Sequence, residues 1–185
     1  MSRHSPEEHR KPDGIGVEYI AIGSLVPFFN KRRNLKFVGD VLRGARCIAG
    51  PAMPIHVFGA GDPLELPFLV FLGADIFDSA SYGRYALEGW YMTIYGAINS
   101  PDRLIAGEYR CGCHICTAAS NPAAIFKDRC ALASHNLWTI LDTIKRIRLA
   151  LEGNVLPAML AQVLKRHMEW FPTSELAQSW ESLHV

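Results

Sequence analysis

Three of the five cysteines fall within one short segment, Cys111-Gly112-Cys113-His114-Ile115-Cys116, and this spacing constrains the chain more than any other feature. A disulfide framework uses an even set of cysteines in an oxidising compartment, whereas an odd count and a tight C-x-C-x2-C loop point to metal in a reducing one. Nineteen residues after Cys116, His135 lies inside an apolar-periodic segment. Three thiolates and one imidazole form the closed tetrahedral set of structural zinc, and such soft donors select Zn2+ over calcium or magnesium. His135 is the preferred fourth ligand, because a helical histidine facing the loop can reach an ion that His114, within the loop, cannot easily share. Cys130 is nearby and is the remaining alternative. Four protein ligands leave no open coordination position, so the metal is expected to be a staple rather than a catalyst.

What surrounds this loop reads as an ordinary globular chain. Its 185 residues are 49% hydrophobic and carry a net charge of +1. That suits one domain, or one domain with a small appendage, and excludes disordered and collagen-like classes. A charge so small provides no global field for a polyanion, so nucleic-acid contacts must come from local patches. The candidates are Lys31, Arg32, Arg33, Lys36, Arg43 and Arg46 on one expected helix and Lys145, Arg146 and Arg148 on another. Solvated helix faces are the commoner reading of such runs, with phosphate binding the sharper one. The most apolar stretch, residues 66–74, is about half a membrane span and ends at Asp75. The polar N-terminus has no secretory apolar core, so a cytoplasmic protein is expected.

Hydrophobic patterning gives the order of elements. Residues 1–14 read as a loose leader. Residues 17–24, 54–61 and 75–79 read as short strands, the first two closed by glycine. Residues 28–48 have helical spacing, and Asp62-Pro63 is expected to cap a second helix running to Gly73. Strands alternating with helices predict an α/β fold with parallel strands, and ligands then gather at the strand C-termini, near Gly23-Ser24, Gly59-Ala60-Gly61 and Asp78. The segment Gly59-Ala60-Gly61-Asp62-Pro63 lacks the third glycine of a dinucleotide-binding turn, which removes the simplest dehydrogenase reading. Farther on, residues 90–96 read as one strand of a hairpin, with Trp90, Tyr91 and Tyr95 as hairpin core or as base-stacking rings. Residues 127–152 read as a long helix with Gly153 at its C′ position, and residues 155–170 as another helix closed by Pro172.

Several of these segments together resemble a known family. Ile20-Ala21-Ile22-Gly23-Ser24-Leu25-Val26-Pro27, His56-Val57-Phe58-Gly59-Ala60-Gly61-Asp62-Pro63, the run from Gly73-Ala74-Asp75-Ile76-Phe77-Asp78 to Ser79-Ala80-Ser81-Tyr82, and Tyr91-Met92-Thr93 precede the cysteine loop and His135-Asn136-Leu137. In order and approximate spacing, residues 17–150 resemble the C-terminal half of a tRNA-guanine transglycosylase, closer in wording to archaeosine-type than to queuine-type enzymes. The resemblance implies the C-terminal part of a TIM (β/α)8 barrel with a structural zinc module. Its expected divisions are a leader over 1–14, a partial barrel over 15–105, a zinc module with its long helix over 106–153, and a helical tail over 154–185.

The resemblance also implies chemistry. Family members flip a guanosine out of the nucleic acid, and an aspartate attacks C1′ to expel guanine. A 7-deazaguanine then displaces the enzyme from this covalent intermediate, with retention at the anomeric carbon. Asp78, in its D-x-F-D-S setting, matches the nucleophile, with a helix N-cap or a structural aspartate as the lesser alternative, while Asp75 reads as structural. Gly23, Ser24 and Leu25 fall where the family reads the guanine edge through backbone groups. Phe58 and Gly59 fall on the wall under the purine, although a phenylalanine in such a strand is often core filler. Cys111, Cys113, Cys116 and His135 match the zinc ligands, across a Cys116-to-His135 interval shorter than is usual for the family.

The departure from the family is length. An eight-stranded barrel takes about 250 residues, whereas here the cysteine loop follows about three strand–helix units. The family's first half carries its general acid/base aspartate, so a second chain supplying that half, or another copy of this chain, is expected as partner. The implied substrate is tRNA, with DNA the alternative for the same exchange; a non-catalytic accessory subunit or truncated remnant is the third reading.

Overall fold

The computed structural model describes residues 18–30 and 34–183. The expected leader and the basic Lys31, Arg32 and Arg33 lie outside the described residues. The first half reads β1 (Ile20–Ile22), α1 (Val26–Asn30), α2 (Leu35–Ala49), β2 (Ile55–Val57), α3 (Leu66–Phe71) and β3 (Ile76–Phe77). The three strands form a parallel sheet in the order β1-β2-β3, with Ile20 opposite Ile55 and His56 opposite Ile76. The α/β alternation expected from the sequence is therefore present, in shorter strands. Ile55 and Val57 of central β2 are buried, whereas the outer strands carry exposed or half-buried residues.

The helix expected over 28–48 is two helices. The Asn34 side chain accepts from the Phe37 N–H at 3.0 Å, filling one of the orphan donors of a new N-terminus. On α2, Leu35, Val38 and Leu42 are buried while Lys36 and Arg43 both pair with Asp40 on the exposed face. Those two cations, Arg43 first, hold the Asp40 carboxyl below its ordinary value. Arg46 turns inward, to the carbonyls of Met53 and Gly73 and to Asp75. Asp62 is not the N-cap expected of it: its Oδ1 accepts from the Leu64 N–H at 3.0 Å within a turn, and regular α-helix begins only at Leu66, with Glu65 at the N-cap and Pro67 in the first turn.

Past the sheet come α4 (Ser81–Glu88), the antiparallel hairpin β4 (Tyr91–Thr93) and β5 (Gly96–Ile98), then α5 (Asp102–Ile105), α6 (His114–Ala118), α7 (Pro122–Lys127), α8 (Arg129–Glu152), α9 (Leu156–Trp170) and α10 (Leu176–Glu181). The sequence reading had no counterpart for α4. Helix α8 starts at Arg129 rather than at 127, because the Asp128 side chain accepts from the N–H groups of Cys130 and Ala131. Gly153 does not take the left-handed turn after α8; its φ is −84° and Asn154 adopts φ 53° instead. Asparagine tolerates that region better than most side chains, so the helix ends at Glu152 as expected and the left-handed residue falls one position later than expected.

Two cores result. The larger joins the sheet to its helices through residues such as Phe29, Leu42, Val57, Leu69, Ile147 and Leu160. The smaller gathers Tyr91, Ile98, Ile125, Leu132 and Trp170 beneath the hairpin and cysteine loop, with Tyr95 packed at its edge. Tyr91 is thereby hairpin core, not a stacking surface. Among the described residues no helix is long and apolar enough to cross a membrane.

Asn136 of α8 is buried between the two halves. Its Oδ1 accepts from the Met92 N–H at 2.9 Å, and its Nδ2 donates to the carbonyls of Trp90 and Tyr82 at 3.0 and 3.2 Å. Asn136→Ala leaves these buried backbone groups without partners and is expected to cost about 2–4 kcal/mol, read as a lower urea midpoint at unchanged slope.

Candidate functional site

The cysteine loop closes on itself before it meets α8. Cys113 is the N-cap of α6, its Sγ accepting from the Cys116 N–H at 3.3 Å, and the Cys113 N–H donates to Cys111 Sγ at 3.4 Å. From α8, His135 places Nδ1 3.6, 3.5 and 3.4 Å from the Sγ atoms of Cys111, Cys113 and Cys116. One ring nitrogen cannot hydrogen-bond three sulfurs at once. With metal–sulfur bonds of about 2.3 Å and metal–nitrogen bonds of about 2.0–2.1 Å, however, the sulfur–nitrogen edge of a tetrahedron is about 3.5 Å. The four donors also lie within 4.8 Å of one another, so the set fits a four-coordinate metal ion.

The surroundings orient that set. His135 is fully buried, and its Nε2 lies 2.9 Å from the Met92 carbonyl. Donation there puts the proton on Nε2 and leaves the Nδ1 lone pair for the sulfurs, the usual outer support of a metal-bound imidazole. The Tyr91 ring stacks on the imidazole at 3.6 Å, and its hydroxyl lies 3.1 Å from Cys116 Sγ. Hydrogen bonding from Cys116, then from His135 and the Cys113 N–H, pulls the Cys111 thiol down to about 4. Burial pushes Cys113 up, and the bond to Cys111 pushes Cys116 up. The cluster thus holds its first negative charge readily and resists the next without a cation. His114 and Cys130 are exposed and stand outside this donor set.

A second constellation occupies the C-terminal ends of the parallel strands. Gly23, Ser24 and Leu25 follow β1, Phe58 and Gly59 follow β2, and Asp78 follows β3. Ser24 and Gly59 both take left-handed backbone, with φ 63° and 73°. A Cβ on Gly59 would also meet Val26 at 3.2 Å, so that turn requires glycine. Gly23 and Ser24 are exposed, whereas the Leu25 side chain is buried in the larger core. Phe58 is 46% exposed, which corrects its reading as core filler: the strand ends at Val57 and the ring turns outward.

Asp78 is 58% exposed at the side chain, and its Oδ1 accepts from the Gly59 N–H at 3.1 Å and faces His56 Nε2 at 2.8 Å. It also lines a groove of about 580 Å3 walled by Ile76, Phe77, Leu137, Leu141 and Ile144. Asp75 is structural in its contacts, joining the Ile55 N–H at 2.8 Å to Arg46 at 2.6 Å. Sequence reasoning assigned no role to His56. The available signal was alternation: His56 lies between buried Ile55 and Val57, on the opposite face, and the His56–Ile76 register makes Asp78 its diagonal neighbour.

The chain matches the family described as queuine tRNA-ribosyltransferase over residues 4–169. A tRNA-guanine(15) transglycosylase of Haloferax volcanii is 32% identical over 165 residues, covering 87% of this chain and 31% of the relative. One from Pyrococcus furiosus is 32% identical over 164 residues, covering 85% and 27%, and one from Aeropyrum pernix is 37% identical over 118 residues, covering 62% and 22%. The chain spans under a third of the length of these curated relatives.

For the donor cluster, elemental analysis of the purified chain is expected to find one metal ion per copy. Cys113→Ser should lose the ion and solubility together, whereas His114→Ala and Cys130→Ala should keep both. A stable, metal-free Cys113→Ser would contradict the staple.

Proposed function

The chain belongs to the queuine tRNA-ribosyltransferase family, and from that membership we propose that it is one part of an enzyme exchanging guanine in tRNA for a 7-deazaguanine. The observation that carries this reading is the Asp78 carboxylate, solvent-facing at a strand end yet held by the Gly59 N–H. In the reaction, Asp78 attacks C1′ of a flipped-out nucleotide as the C1′–N9 bond breaks and its electron pair leaves with guanine. An acid/base carboxyl group of the completing half protonates the departing base. The incoming 7-deazaguanine gives its N9 proton to that group and attacks C1′, and Asp78 leaves as a carboxylate. Two displacements retain the anomeric configuration.

The remaining roles follow. The backbone turn of Gly23, Ser24 and Leu25 reads the purine edge, the outward Phe58 ring and Gly59 form the wall beneath it, and Cys111, Cys113, Cys116 and His135 hold a structural Zn2+. The three strands are part of a TIM barrel that a second chain completes in the cytoplasm. Two features support a completing half. Among the described residues no strand pairs with the outer edges of β1 and β3, and the groove beside β3 has apolar walls that include Leu141 at 60% exposure. The relatives are tRNA-guanine(15) transglycosylases, which favours tRNA over DNA as the substrate.

Purification of the tagged chain from its own cells should bring down a companion of similar size with one zinc per copy of this chain. That assembly is expected to incorporate labelled guanine into tRNA and not into DNA. Asp78→Ala should lower incorporation by at least about 10³-fold, as loss of a nucleophile does elsewhere, with fold and zinc content intact. Ordinary exchange by Asp78→Ala would remove Asp78 from the role, and incorporation into DNA alone would replace the substrate.

A further inference from the structure

We infer that His56 is the positioning residue of Asp78, holding Oδ1 so that Oδ2 is the attacking oxygen; this rests on the reading of Asp78 as nucleophile. A free carboxylate has two equivalent oxygens and turns easily about its Cβ–Cγ bond. Here Oδ1 has two partners, His56 Nε2 at 2.8 Å and the Gly59 N–H at 3.1 Å. Among the described residues, no hydrogen bond reaches Oδ2. An ionised carboxylate only accepts, so Nε2 carries the proton in this pair. Two donors on one oxygen set the plane of the group and leave the lone pairs of the other free to attack.

His56 is the fixed member of the pair. Its side chain is 13% exposed against 58% for Asp78. It stands mid-way along β2, the central strand, and the Phe58 ring meets its edge at 4.4 Å. The mobile group is therefore held by the immobile one, the arrangement that preorganises a reacting atom. When Oδ2 bonds to C1′ and the C1′–N9 electron pair leaves with the base, Oδ1 becomes the carbonyl oxygen of the ester. The same two N–H groups then polarise that carbonyl, and they receive the carboxylate when the second displacement breaks the Oδ2–C1′ bond. One contact thus serves both halves of the exchange.

The test uses the complete assembly with tRNA, guanine as the incoming base, and covalent protein–tRNA adduct read on denaturing gels. His56→Leu should slow adduct formation and kcat by about 10²-fold, with KM for guanine and zinc content unchanged. His56→Gln, whose amide N–H lies at the reach of Nε2, should recover most of that loss, which a role in packing alone would not produce. Should His56→Leu fail to fold, ¹⁵N spectra of the unsubstituted imidazole decide: Nε2 should be protonated and should shift in Asp78→Asn. Full rate in His56→Leu, no rescue by His56→Gln, or an imidazole indifferent to Asp78→Asn overturns the inference alone. Absence of adduct from the unsubstituted assembly overturns the nucleophile reading and this one with it.

Discussion

His135 is the point at which the parts of the molecule are joined. Its Nδ1 faces the three sulfurs and its Nε2 the Met92 carbonyl of the hairpin, so one buried ring links the cysteine loop, the hairpin and α8. Asn136, the next residue, extends the link to α4 through the Tyr82 carbonyl. Helix α8 then runs from the smaller core to the larger one, contributing Leu132 to the first and Ile147 and Ala150 to the second. Its outer face forms one wall of the groove that Asp78 also lines. The donor cluster and the carboxylate thus have one long helix in common, without any direct contact between them.

A metal ion held by that donor cluster would be structural for a reason of valence. Three sulfurs and Nδ1 complete a tetrahedron, and the far nitrogen of the same imidazole is already engaged by a backbone carbonyl and by Thr139 at 3.3 Å. An ion so held would have no ligand position left for a substrate. The sheet's open edges set a different requirement. A parallel strand in a barrel is covered on both sides and both faces. Among the described residues only β2 is flanked by a strand on each side, and β3, two residues long, carries Asp78 at its end. The nucleophile proposed for the exchange thus sits at the margin of the sheet, where a completing half would enclose it.

How much of this was legible in the sequence depended on the range of the interaction. The donor set was visible because three of its members are local in the chain and the fourth lies in a strongly periodic helix. Parallel strands were visible from their alternation with helices. Boundaries were less so, since Asn34 and Asp128 cap helices by side-chain bonds that compete with continuing the pattern, and nothing in spacing alone ranks the two. The pairing of His56 with Asp78 depends on strand register, a relation between segments twenty residues apart that periodicity within either one cannot supply. Arg46 was misleading for the same reason: it counts as part of a basic face until β3 places Asp75 against it.

The two left-handed turns shape the C-terminal edge of so short a sheet. Ser24 holds φ 63° at a cost of about 1–2 kcal/mol that a glycine would avoid, and Gly59 holds φ 73° where a Cβ would strike Val26. In both places the chain turns sharply just past a strand and keeps backbone groups, rather than side chains, at the sheet's C-terminal edge. At Gly59 the consequence is visible, because its N–H is one of the two donors to Asp78. At Ser24 the same geometry leaves the residue exposed while Leu25 anchors the turn in the core. An edge built this way presents peptide dipoles in fixed positions, which suits recognition of a planar heterocycle by its hydrogen-bonding rim. Strain at Ser24 is therefore better understood as the means of aiming a backbone than as a defect of the turn.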